Sequence, residues 1–151
     1  MTRRLTWLPL TLLVAMLGVL LLASTVAANH FATFTTSLSG SEEVPGPGDP
    51  NGKGWASLDV YDAGLVCYTL KVQGIQAPTA AHIHEAPAGV AGDVVVDLRI
   101  DLATSRGNRL TYCANASEAV AADIRANPAD YYVNVHNATY PGGAIRGQLG
   151  D

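Results

Sequence analysis

Cysteine is scarce in this chain: Cys67 and Cys113 are the only two. Neither has a histidine near it in sequence, which argues against a catalytic thiol. Neither lies beside the N-terminal apolar segment, which argues against a lipid-modified lipoprotein. Basic residues are also few, nine against 13 acidic ones, and they are scattered along the sequence. A sequence without a basic cluster is a poor partner for nucleic acid. Internal repeats and a second domain are likewise missing.

What is present begins with a targeting segment. Arg3 and Arg4 precede an apolar stretch from about Leu5 to Ala23, and Val26-Ala27-Ala28 supplies small residues suited to signal-peptidase cleavage after Ala28. Residues 1–28 therefore read as a secretory signal. The alternative is an uncleaved membrane anchor, because the apolar run approaches the roughly 20 residues that span a bilayer. The Arg3-Arg4 pair lacks the apolar residues that follow a twin-arginine motif, so ordinary export is expected. Residues 29–151 then form one domain with a single core, secreted or periplasmic. That domain keeps seven basic residues, the nine less Arg3 and Arg4, against all 13 acidic ones, a net charge of −6. Such a charge favours solubility and attracts cations weakly.

In an oxidising compartment two cysteines usually pair, so a Cys67–Cys113 disulfide is expected, with two buried free thiols as the alternative. Closing a loop of about 47 residues stabilises a fold by about 4 kcal/mol on the chain-entropy account.

The domain reads as short strands separated by turn residues. Phe31 to Leu38, rich in Thr and Phe, is a first strand, and the Pro- and Gly-rich segment 40–54 is a surface loop. Trp55 to Tyr61 alternates Ala56, Leu58 and Val60 with Ser57 and Asp59, then turns at Asp62-Ala63-Gly64 into Leu65 to Val72. Thr79 to Glu85, Val94 to Leu98, Arg109 to Cys113, Tyr131 to His136 and Ala144 to Leu149 complete eight strands. Ser117 to Ala126 is helical, capped by Ser117 and stopped by Asn127-Pro128, with Val120 and Ile124 as its apolar stripe. The fold class is all-β, an antiparallel Greek-key sandwich or flattened barrel with one short helix.

Three of the four histidines fall in two of these strands, as Ala81-His82-Ile83-His84-Glu85 and Tyr132-Val133-Asn134-Val135-His136. Successive strand side chains point to opposite faces, so His82 and His84 share one face and can chelate a single ion. His136 would complete a three-imidazole site of the kind copper and zinc favour. The competing account is a polar sheet face in which the imidazoles bond neighbouring strands and His136 holds the following turn. Glu85 falls on the opposite face from the pair and reads as a solvated charge.

The blocks Ala81-His82-Ile83-His84, Ile124-Arg125-Ala126-Asn127-Pro128, Tyr131-Tyr132-Val133-Asn134-Val135-His136 and Pro141-Gly142-Gly143-Ala144-Ile145-Arg146-Gly147-Gln148-Leu149 together resemble a CHRD domain. This module is named after chordin and occurs alone in many bacterial secreted proteins. The resemblance covers about Phe31 to Leu149, and one departure is Ala144, where the family usually has Glu. It implies an immunoglobulin-like sandwich with limited similarity to copper/zinc superoxide dismutases. In those enzymes a His-x-His strand supplies two copper ligands, a later histidine another, and an arginine near the C-terminus guides the anionic substrate. His82, His84, His136 and Arg146 occur here in that order. No histidine lies between His84 and His136, so the bridging ligand of a dinuclear site is missing.

Three functions follow as expectations. The first is a secreted, non-catalytic module holding one copper or zinc ion at His82, His84 and His136, with Arg146 either anion-guiding or structural. The second is a copper-dependent, dismutase-like redox enzyme on the same residues. The third is a metal-free module that binds an extracellular protein partner, as chordin's use of the domain suggests. Contact with a membrane is expected only if the signal stays uncleaved.

Overall fold

The computed structural model describes residues 30–101 and 108–150. The segment read as a signal, residues 1–28, lies outside them. The elements are β1 (Phe31–Ser39), β2 (Lys53–Tyr61), β3 (Leu65–Gln73), β4 (Pro78–Glu85), β5 (Asp93–Leu98), β6 (Arg109–Asn115), α1 (Glu118–Ala126), β7 (Tyr131–Asn137) and β8 (Ile145–Gln148). Every expected strand is present with its ends within two residues, and the helix begins one residue after its cap.

The eight strands form one antiparallel sheet in the order β5-β4-β7-β8-β1-β2-β3-β6. Its end strands, β5 and β6, come into contact without pairing, so the sheet curls into a nearly closed barrel. Period-two alternation drives the closure. Leu58, Val60, Val66, Leu70, Ile83, Val133, Val135 and Ile145 all point inward and are at most 1% exposed. Burying each such side chain contributes about 1.5–3 kcal/mol relative to leaving it in water.

Local chemistry fixes the connections. Gly64 turns β2 into β3 at φ +81°, a left-handed conformation that favours glycine. The Ser117 hydroxyl accepts the Val120 amide at 3.1 Å and starts α1, which lays Ala121 and Ile124 into the core. Cys67 and Cys113 face each other across β3 and β6 and form the expected disulfide. Among the described residues no helix is long and apolar enough to cross a membrane.

Two strands break the alternation. β7 and β8 are buried at every position, on the barrel's outer side as well as its inner one. Chain segments fold over that outer side, and the expected surface loop is one of them: in segment 40–54, Gly40, Glu43, Gly48 and Gly52 are buried.

Candidate metal centre

With Ile83, Val133 and Val135 pointing inward, alternation sends His82 and His84 to the outer face of β4 and Tyr132, Asn134 and His136 to the outer face of β7. The register places His82 opposite Asn134, His84 opposite Tyr132 and Ala80 opposite His136. The three imidazoles therefore sit side by side on one wall. Each offers a ring nitrogen, and these nitrogens lie within 4.8 Å of one another.

Each ring also has a nitrogen tied away from the cluster. His84 Nδ1 is 2.9 Å from the Gly92 carbonyl and His136 Nδ1 is 3.0 Å from the Pro141 carbonyl. A carbonyl only accepts, so both Nδ1 atoms carry the hydrogen and both Nε2 atoms are bare lone pairs. His136 Nε2 accepts from His82 Nδ1 at 3.0 Å, and His82 Nε2 stands 3.4 Å from Asp97 Oδ1. His84 Nε2 is buried with no partner. A buried, unpartnered acceptor costs about 1–3 kcal/mol.

A metal ion satisfies all of this at once. It would take His84 Nε2, His136 Nε2 and His82 Nδ1, while the His82 hydrogen moves to Nε2 and faces Asp97. The outer contacts would then orient all three ligands, as such contacts do in metal sites generally. At bonds of about 2.0–2.1 Å in a tetrahedral site two ligand nitrogens stand about 3.4 Å apart, so the widest separation, 4.8 Å, must close by about 1.4 Å through rotation and shift of the rings.

The electrostatics keep the ligands ready. Burial, above all, holds His84 and His136 below the usual imidazole range. The neighbouring histidines push both the same way, and Arg146 does so for His84, whereas the carbonyl bonds pull them back up. Both rings are therefore neutral near pH 7, the form that binds metal.

Arg146 lies in the same buried layer, 2% exposed. Its guanidinium donates to the carbonyls of Val90 (2.8 Å) and Pro87 (3.1 Å) and to Gln148 Oε1 (3.1 Å). Gln148 Nε2 donates in turn to the Ala86 and Ala129 carbonyls. These bonds hold segment 86–92 over the wall, and that segment supplies the Gly92 carbonyl that orients His84. Tyr132 links the two ends: its ring stacks on His84 with centroids 4.8 Å apart, carries the Arg146 guanidinium at 3.4 Å, and its hydroxyl accepts the Gly92 amide.

Several contributors escaped the sequence reading. Asp97 is opposite His82 on β5, and its place was readable only once the β4–β5 register was known. Asn134 was readable as the polar residue two before His136. Glu43 had no signal at all. Its carboxylate is 5% exposed, accepts from Asn134 Nδ2 at 3.1 Å, and is pushed up to about 7 by burial. Gly143 makes room for it, since a Cβ there would stand 2.2 Å from Glu43 Oε2. Glu85 is exposed, and Tyr131 is core, bonded through its hydroxyl to Asp123.

The family model described as the CHRD domain matches residues 34–149. No curated protein and no solved structure matches the chain significantly. The match takes in all three histidines, Arg146 and both cysteines, and it ends at the last residue of the block Pro141 to Leu149: the chain belongs to the CHRD-domain family.

Proposed function

We infer that this protein is an extracytoplasmic, non-catalytic β module that binds one copper or zinc ion through His82, His84 and His136. The observation that carries the reading is the paired geometry of the three rings. One nitrogen of each lies within 4.8 Å of the other two, while the other faces a carbonyl or carboxylate. Imidazole suits both copper and zinc, and the disulfide fits an oxidising compartment.

The experiment is metal titration of the purified protein, followed by mass-spectrometric metal analysis and thermal unfolding. One equivalent of copper or zinc should bind and raise the melting temperature. His84→Ala should lower affinity by at least about 100-fold, because the loss of a ligand exceeds the 10–100-fold cost of losing an outer contact. Substoichiometric uptake by the native protein, or uptake unchanged in His84→Ala, overturns the reading.

The redox alternative draws on one feature of the topology. β7 returns to pair with β4, beyond β5 and β6, which is the connection of a Greek key once β5 and β6 are counted as neighbours. Against it stands Arg146, whose guanidinium is engaged with loop carbonyls beneath the surface. Superoxide consumption by the copper-loaded protein above that of copper-treated His84→Ala would favour the enzyme over the passive site.

A further inference from the structure

The other side of the barrel carries a feature that the sequence does not announce. The chain has two lysines, Lys53 and Lys71, and Trp55 is its only tryptophan beyond residue 28. The register collects all three with Arg109. Ser37, Trp55, Lys71 and Arg109 stand in one row across β1, β2, β3 and β6, and Ser39, Lys53 and Gln73 form the next. All four of Lys53, Trp55, Lys71 and Arg109 are exposed.

Two grooves meet at Lys53 and Trp55. One, of about 450 Å³, runs past Lys71 to Arg109 and Asn108. The other, of about 680 Å³, is lined by the hydroxyls of Thr35, Ser37 and Ser39, with Glu42 on its side. The cations are not neutralised from within. Among the described residues none of the three has a carboxylate within ion-pair distance. Lys71 and Arg109 are directly opposite on neighbouring strands, a like-charge pairing that disfavours the sheet. Lys71 Nζ also hovers 5.5 Å from the Trp55 ring centre.

We propose that this row binds an acidic oligosaccharide, a chain of sugars bearing carboxylate groups. An exposed indole offers a flat apolar platform for the C–H face of a sugar ring. Lys71 and Arg109 together supply what a carboxylate needs, a point charge and a planar fork of donors, and an anion between them removes their mutual repulsion. The hydroxyl groove on the far side of Trp55 continues the track for uncharged ring positions, and Glu42 there biases the carboxylate toward the cationic end. A neutral sugar would leave the opposed cations unanswered. A nucleic acid would meet three cations and one ring on a protein whose net charge is −4, too small a footprint for phosphate-dominated binding.

The test is titration of the full protein with a galacturonate hexasaccharide, read by Trp55 fluorescence and by calorimetry. Arms with a neutral glucose hexasaccharide, phosphatidylserine vesicles and a single-stranded oligonucleotide run alongside. Saturable binding of the uronate chain is expected, at least 10-fold tighter than the neutral chain and weakened by salt. Trp55→Ala and the double variant Lys71→Gln/Arg109→Gln should each weaken it at least 10-fold while His84→Ala leaves it unchanged, so the outcome is independent of the metal reading. The double variant changes only exposed side chains, and circular dichroism confirms its fold. Equal binding of the neutral chain, preference for the vesicles or the oligonucleotide, or uronate binding intact in the double variant would each overturn the proposal.

Discussion

The outer faces of β4, β7 and β8 and of β1, β2, β3 and β6 belong to one continuous sheet, yet they have opposite chemistry. The first is covered. Segments 86–92 and 138–144 and the residues around Glu43 lie over it, and its polar side chains, all buried but the half-buried His82, bond to the covering carbonyls and to one another. The second is open, with exposed cations, hydroxyls and an indole. Cover is what separates them. Under a loop, a histidine loses water and must be neutral and partnered, by a carbonyl, by another ring or by an ion; in the open, a lysine keeps its water and can meet only what arrives from solution.

The two walls are also held differently, which gives the largest expected effect. The open wall carries the disulfide between β3 and β6, closing a sequence separation of 46 residues. Replacing both cysteines by serine should lower stability by about 4 kcal/mol in a urea titration. The covered wall depends on buried hydrogen bonds. Arg146→Met leaves loop carbonyls unanswered and should cost about 3 kcal/mol. It should also weaken metal binding about 10-fold through the loosened Gly92 contact. The matching Lys71→Met on the open wall should stay within about 0.5 kcal/mol. Equal costs for Arg146→Met and Lys71→Met in the same urea assay would erase the contrast.

A smaller effect separates two groups within the covered wall by sign. Folded Glu43 keeps its proton up to about pH 7, against 4.5 ordinarily. Between those values the native state binds the extra proton, so this contribution to stability declines as pH rises. His84 and His136 do the reverse: their folded values are lowered, so their contribution is full above about 6.5 and is lost as pH falls below it. In Glu43→Gln only the histidine trend remains. The variant's melting temperature should climb more steeply from pH 5 to 7 than the native protein's and exceed it at pH 8. Parallel pH profiles would remove Glu43 from this account.

The smallest effect is on the open wall. Arg109→Glu turns the like-charge pair with Lys71 into an opposite-charge one and should raise stability by about 0.5 kcal/mol, measured by thermal unfolding, while abolishing uronate binding.

Most of the fold was legible because strands announce themselves locally. Alternation in Trp55 to Tyr61, the Asp62-Ala63-Gly64 turn and the Ser117 cap each depend on a handful of neighbouring residues, and each is where the sequence put it. The histidine face was legible for the same reason, since period two places His82 with His84. The supporting groups were not. Glu43 sits in a Pro- and Gly-rich segment that reads as exposed loop, and only the close approach of Gly143 makes room for its burial. Arg146 was readable as a terminal-strand cation, but its acceptors at Pro87 and Val90 are more than 50 residues away.

The sequence by itself determined which residues would form strands, which side of each strand would enter the core, and that His82 and His84 would stand together. These follow from backbone geometry, which repeats over two residues. Tertiary structure alone decided that His136 joins them, that Asp97, Gly92 and Pro141 orient the three rings, and that Lys53, Lys71 and Arg109, scattered in sequence, share one face with Trp55. Those are matters of strand order and register, and they are set by how an entire sheet closes around one core.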